Sequence, residues 1–163
     1  MKFIVSTAAI IFFSTVMCAQ APAETLPDFT FFKLDKKVFT NKDLATGKML
    51  FFVFFDTDCD HCQHAMQYLD HHSKDFGKAA IYLVTLDDQG KIDRFMKQYG
   101  PGLKTKKNIT ILQDTQNQFL VKFKPRKYPS MYLYSAQKKL IHYDDNEKKV
   151  ADFSSQINKS AVK

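Results

Sequence analysis

Polar and apolar positions along the chain fall into short blocks with two distinct periods. The longest apolar block, Met49 to Phe55, has no polar break and ends at Asp56-Thr57-Asp58. A run of that length, rich in Phe and Val, predicts a strand buried on both faces of a sheet. Ala79 to Leu86 predicts a second buried strand and Ile109 to Leu112 a third. Between them helical spacing takes over. Cys62, Ala65, Met66, Leu69 and Phe76 share one stripe closed by Gly77. Ile92, Phe95, Met96 and Tyr99 share another, stopped by Gly100-Pro101-Gly102.

Upstream, Leu26 to Leu34 alternates loosely, turns at Asp35-Lys36-Lys37 and returns as Val38 to Thr40, which predicts a hairpin. Asn41-Lys42-Asp43-Leu44 then reads as the cap of a helical turn that Gly47 ends. Downstream, a short amphipathic helix is expected around Phe119, Leu120 and Phe123. Two strands, Met131 to Tyr134 and Leu140 to Tyr143, follow as an antiparallel pair. Val150, Phe153, Ser154 and Ile157 mark one face of a terminal helix. Strand–helix alternation followed by an antiparallel pair predicts an α/β fold. Its mixed central sheet is flanked by helices and carries an N-terminal β-hairpin extension.

The first residues have a different character. A positive start at Met1-Lys2, an apolar stretch from Phe3 to Met17 and small residues from Ala19 to Ala23 make a secretory signal peptide. Residues 1–23 are therefore expected to be removed, by a cut after Ala23 or after Ala19, leaving 24–163 as a single domain. The apolar stretch is short of the roughly 20 residues of a membrane span, so no stable span is expected in the mature chain. Thr15-Val16-Met17-Cys18 lacks the Leu and small residue of a lipobox, which argues against a lipid anchor at Cys18. Cleavage removes Cys18 and leaves two cysteines, Cys59 and Cys62. The expected location is periplasmic or otherwise extracytoplasmic, where disulfides persist.

Composition adds little to this picture. Aromatic content of 14% excludes a disordered chain. A net charge of +7 is spread over scattered lysines, with local clusters at Lys104 to Lys107 and Lys122 to Lys127. No phosphate loop or nucleic-acid fingerprint accompanies them, so they read as a solvated basic face and no nucleic-acid partner is expected.

The chemistry lies in Cys59-Asp60-His61-Cys62, placed where the first core strand gives way to a helix. The reactive crevice of an open α/β sheet lies at the carboxyl ends of its strands. A three-residue offset puts both sulfurs at one helix end, close enough to form a disulfide. The unpaired N–H groups and dipole of that end favour a thiolate at Cys59. Cys59 is expected to attack a partner disulfide and Cys62, on the buried stripe, to resolve the mixed disulfide; run backwards, the same steps oxidise a partner. A static staple or a copper or zinc site using a histidine are the competing readings. His64, His71 and His72 are expected to face solvent, as is His142, so no metal is assigned.

The order of elements, the cysteine pair after the first core strand, Tyr128-Pro129-Ser130 before the antiparallel pair and Pro27-Asp28-Phe29 in the hairpin together resemble the thioredoxin-like superfamily. The match is best with its TlpA/ResA-type, redoxin-related branch of exported bacterial oxidoreductases and spans Leu26 to the C-terminus. The resemblance implies a thiol–disulfide oxidoreductase without cofactor, acting on protein thiols and disulfides and served by a redox partner protein. It also implies a redox-active Cys59–Cys62 disulfide and a cis-proline at Pro129 packed against the pair. The backbone of Tyr128 would then be free to pair with a substrate strand.

His61 stands where DsbA-type proteins carry a histidine that favours the thiolate, while Asp58 and Asp60 push the other way. One unit charge about 6–8 Å from the sulfur is worth about 1–2.5 kcal/mol, so two acids offset one imidazole. The chain departs from thioredoxins in carrying Asp58 before the first cysteine and Val53 where they bury an acid. Asp56, acting through water, is the nearest substitute. Thr57 precedes Cys59 by two residues with no proline before it, so the peroxiredoxin pattern is not met and peroxidase activity is not expected. The alternative class is a redox-inactive thioredoxin-like binding module, or a copper-handling protein using the same cysteines.

Overall fold

A computed structural model describes residues 21–160; residues 1–20, on which most of the expected signal peptide and Cys18 fall, and residues 161–163 lie outside the described residues. The hairpin forms from β1 (Thr30–Lys33) and β2 (Val38–Thr40), paired antiparallel. The Phe-rich run becomes β3 (Met49–Phe54), followed by α1 (Asp60–His71), β4 (Ala79–Thr85) and α2 (Gln89–Tyr99). The chain continues through β5 (Ile109–Gln113), α3 (Gln118–Phe123), β6 (Ser130–Tyr134), β7 (Leu140–Asp144) and α4 (Val150–Ser160).

All seven strands join one sheet in the order β2-β1-β5-β4-β3-β6-β7. β3, β4 and β5 run parallel, while β1 and β6 pair antiparallel on either side of them. Period-two alternation then divides the Phe-rich run between two cores. Phe51, Val53 and Phe55 pack under α1, α2 and α4. Leu50, Phe52 and Phe54 meet the hairpin, α3 and the tyrosines of β6 on the other face. There Phe29, Phe31, Phe119 and Phe123 stack ring on ring, with Phe119 and Phe123 centroids 4.0 Å apart. This second layer explains why a chain without Trp carries 16 Phe.

The structure corrects four details of the sequence reading. Asn41 to Leu44 form hydrogen-bonded turns and no helix. The Asn41 side chain is committed instead to the Phe29 N–H and the Pro27 carbonyl, and Gly47 turns the chain at a φ of 69°. Phe76 is not on α1 but on a separate 3-10 turn, Ser73–Phe76, which still buries its ring against Phe51. Leu120, expected on the apolar face of α3, is exposed. His142 is half-buried: its ring lies 4.6 Å from Phe153 and its Nε2 is buried without a hydrogen-bond partner.

Candidate active site

β3 ends at Phe54, and the chain leaves the sheet through Phe55 to Asp58 before α1 begins. Cys59 is the N-cap of that helix. Its backbone is extended, at φ −96° and ψ 117°, and its sulfur accepts the N–H of Cys62 at 3.4 Å. A sulfur in this role replaces the usual Ser or Asp oxygen and faces the otherwise orphaned donors of the first turn. Cys59 is half-buried and Cys62 fully buried; both are free thiols. Burial pushes the Cys62 thiol well up, and the neighbouring Cys59 and the charge of Asp56 add to the effect. The two sulfurs therefore occupy different media one turn apart.

The loop before Cys59 is held by carboxylates. Asp87, just past the end of β4, accepts the Thr57 N–H at 2.9 Å and the Thr85 hydroxyl at 3.1 Å. Asp56 accepts the Asp58 N–H at 2.8 Å. Thr57 is buried and its hydroxyl lacks a partner. Beside this loop, between Thr57, Asp58 and Gln63 on one wall and Lys91 and Arg94 on the other, opens a cavity of about 390 Å³.

Two of the three charged positions that the sequence set against each other, Asp58 and His61, acquire a counter-charge in the fold. Asp58 pairs with Lys91 of α2 at 2.6 Å. The hydrogen bond and charge of Asp58 raise the Lys91 ammonium above its ordinary value. His61 Nδ1 lies 3.2 Å from Glu147, which precedes α4. Burial works against the Glu147 charge, but a backbone N–H and the His61 imidazole hold its carboxyl below the usual value. Asp60 sits in the first turn of α1, where the helix dipole favours an acid, and among the described residues it makes no ion pair.

Tyr128 and Pro129 arrive from the loop before β6, and the peptide bond between them is cis. Tyr128 is partly buried against both cores, with its ring centroid 4.9 Å from that of Phe54. Burial first, then the charges of Asp56 and Asp87 and the two cysteines, push its phenol up to about 12, so it stays protonated at neutral pH. Val53 is fully buried in the position where thioredoxins bury an acid. His64, His71 and His72 are exposed. Among the described residues no group of three His, Cys, Asp or Glu side chains gathers to hold a metal.

Sequence reasoning singled out Cys59, Cys62, Asp60, His61, Tyr128 and Pro129, and missed Lys91, Asp87 and Glu147. Asp87 was within reach of it: β3 and β4 are parallel neighbours, so the acid after β4 must lie beside the loop after β3. Glu147 carries no such signal, since only the docking of the C-terminal segment brings it to α1.

Residues 22–143 match the model of the AhpC/TSA family. No curated protein matches the chain. Similar solved structures include the peroxidoxin BcpB of Mycobacterium tuberculosis, at a TM-score of 0.68 and 12% identity, covering 86% of this chain and 97% of that one. A secreted disulfide oxidoreductase of the same organism, homologous to Escherichia coli DsbE, gives a TM-score of 0.64 at 18% identity over 80% and 94% of the two chains. A thioredoxin-like protein from Aeropyrum pernix gives 0.66 at 12%, over 81% and 89%. At these identities the likeness establishes the fold, which is thioredoxin-like.

Proposed function

The chain is a member of the AhpC/TSA family, and from that premise we propose that it is an extracytoplasmic thiol–disulfide oxidoreductase acting on protein partners through Cys59 and Cys62. One observation carries the reading. An accessible sulfur caps a helix, and a buried thiol lies one turn beneath it with its N–H already on that sulfur.

In the forward reaction the Cys59 thiolate attacks one sulfur of a partner disulfide. The partner's S–S bond breaks, a bond from Cys59 to the partner forms, and the other partner sulfur leaves as a thiolate and is protonated. Cys62 then loses its proton and attacks the Cys59 sulfur. The Cys59–Cys62 disulfide forms and the second partner sulfur leaves as a thiol. Two electrons pass to the partner, and a separate redox protein restores the pair. In the reverse direction the oxidised pair accepts two electrons from partner thiols.

Cys62 requires a base because burial favours its neutral form. Asp56, whose charge already reaches that thiol, is the acceptor in this proposal, taking the place of the acid absent at Val53. Asp60 and His61 stand between the two cysteines in sequence, and in this proposal Tyr128 and Pro129 face the pair, as the resemblance implies. Export rests on the sequence of residues 1–23. No helix among the described residues is long and apolar enough to cross a membrane.

The test is turnover with a protein disulfide in the presence of a chemical reductant, run beside hydrogen peroxide. Reduction of the disulfide with peroxide consumption at background supports the reading. Peroxide consumption that requires Cys59, with no disulfide turnover, contradicts it.

A further inference from the structure

The cavity of about 390 Å³ beside the cysteine loop has no part in the exchange reaction proposed above. Small-molecule sites span about 300–1,000 Å³, so it is large enough to hold a ligand of that class. It lies between α1 and α2, on the β4 side of β3, whereas Tyr128 and Pro129 lead into β6 on the other side. Thr57, Asp58 and Gln63 line it from the loop and from α1. From α2 come Lys91, Arg94, Phe95 and Gln98, which a spacing of three and four places on one helix face, and Tyr99 beside them.

These walls carry polar groups that the fold leaves uncommitted. Among the described residues the side chains of Gln63, Arg94, Gln98 and Tyr99 make no hydrogen bond and no ion pair. Asp58 and Lys91, by contrast, satisfy each other at 2.6 Å. Arg94 is therefore the one wall charge without a counter-charge. Asp88, the acid that feels the charge of Arg94, is the N-cap of α2, and its carboxylate is committed to the Lys91 N–H at 2.9 Å. Asp93, one residue before Arg94, is committed to Lys104 at 2.6 Å. Phe95 supplies a buried apolar surface, its ring 5.1 Å from that of Tyr99.

We propose that this cavity binds the free carboxylate end of a short peptide. One uncompensated positive charge calls for a ligand with one negative charge, and a guanidinium takes a carboxylate through two parallel N–H bonds. Each glutamine amide offers both a donor and an acceptor, which is what the C=O and N–H of a peptide group require. The rings of Phe95 and Tyr99 give the atoms between those groups an apolar contact. A phosphate would meet Arg94 but would bring no donor to the two glutamine carbonyls, so the wall favours a carboxylate that carries amides. Binding here is separate from disulfide exchange and needs neither sulfur.

The probe is N-acetyl-glycyl-glycine, one carboxylate behind two peptide groups, titrated into the wild-type protein and followed by calorimetry. Its neutral C-terminal amide and inorganic phosphate are the comparison ligands. One equivalent of the probe is expected to bind, about tenfold tighter than either comparison ligand, the effect of one charge-assisted pair. Arg94→Met should weaken the probe about tenfold and Gln98→Ala about threefold, the loss of one neutral hydrogen bond. Lys97→Met removes an exposed charge of α2 outside the cavity and should leave the affinity unchanged, as should Cys59→Ser. All three α2 positions are exposed, and unfolding curves matching wild type establish that the fold is intact. Equal affinity for the probe and its amide, phosphate binding as tight as the probe, or equal losses in Arg94→Met and Lys97→Met each overturn the site. So does the absence of saturable binding, and disulfide turnover that continues in the same preparation leaves the exchange reading standing.

Discussion

Cys59 and Cys62 are three residues apart and meet opposite surroundings. Cys59 caps α1, keeps access to solvent and has the Cys62 N–H directed at its sulfur. Cys62 lies on the buried face of the same helix, among Ala65, Met66 and Phe55, where burial holds it as a neutral thiol. The difference comes from helix geometry alone. The capping position stands outside the cylinder, and the position three later returns to the stripe that packs on the sheet. In the proposed reaction this division of two identical side chains makes Cys59 the attacking sulfur and Cys62 the resolving one.

The division can be broken in order of severity. Cys59→Ala should reduce disulfide turnover to the uncatalysed background while leaving the fold intact, read by steady-state reduction and thermal melting together. Asp56→Asn should act on the second half only. Without the acceptor beside Cys62, mixed disulfide should persist and turnover should fall on the order of a hundredfold, the usual scale of a lost proton-transfer group. Quenched-flow trapping reads that step directly.

pH sharpens the contrast further. Burial raises the Cys62 thiol in the folded protein, so between the ordinary thiol value and the raised one the folded chain keeps a proton that the unfolded chain gives up. The stability of the reduced protein is therefore full below the ordinary thiol value and declines as pH rises beyond it. Urea midpoints at neutral and strongly alkaline pH should show this decline in wild type and a smaller one in Cys62→Ala.

The smallest effects belong to the flanking charges. Lys91→Met uncovers Asp58 beside Cys59 and should make the pair slightly more reducing. Glu147→Gln removes a negative charge beside His61 and should make it slightly more oxidising. Each shift should be under about 20 mV because one partner of each ion pair, His61 or Asp58, is largely solvent-exposed. Glutathione equilibration reads both.

Much of this arrangement was legible before any coordinates. The uninterrupted run from Met49 to Phe55 marked a strand covered on both sides, and its abrupt end at Asp56 fixed where the cysteines had to stand. The Phe content was harder to interpret, since only the pairing of β1 with β5 shows that Phe31 and Phe39 complete a second core over Phe52 and Phe54. The electrostatics of the site were half visible. Asp58, Asp60 and His61 are neighbours in sequence, whereas Lys91 and Glu147 reach them only through the docking of α2 and of the segment before α4. Leu120 shows the limit of periodicity in a helix as short as α3. In a six-residue helix the apolar stripe and the exposed face differ by one position.

The most direct test of the account is to express Cys62→Ala in the compartment where the protein acts, quench with acid and identify disulfide-linked species by mass spectrometry. The account predicts partner proteins joined through Cys59, released by reductant and absent from the Cys59→Ala/Cys62→Ala double variant. A Cys62→Ala protein that forms no mixed disulfide, or that forms the same adducts without Cys59, would contradict it.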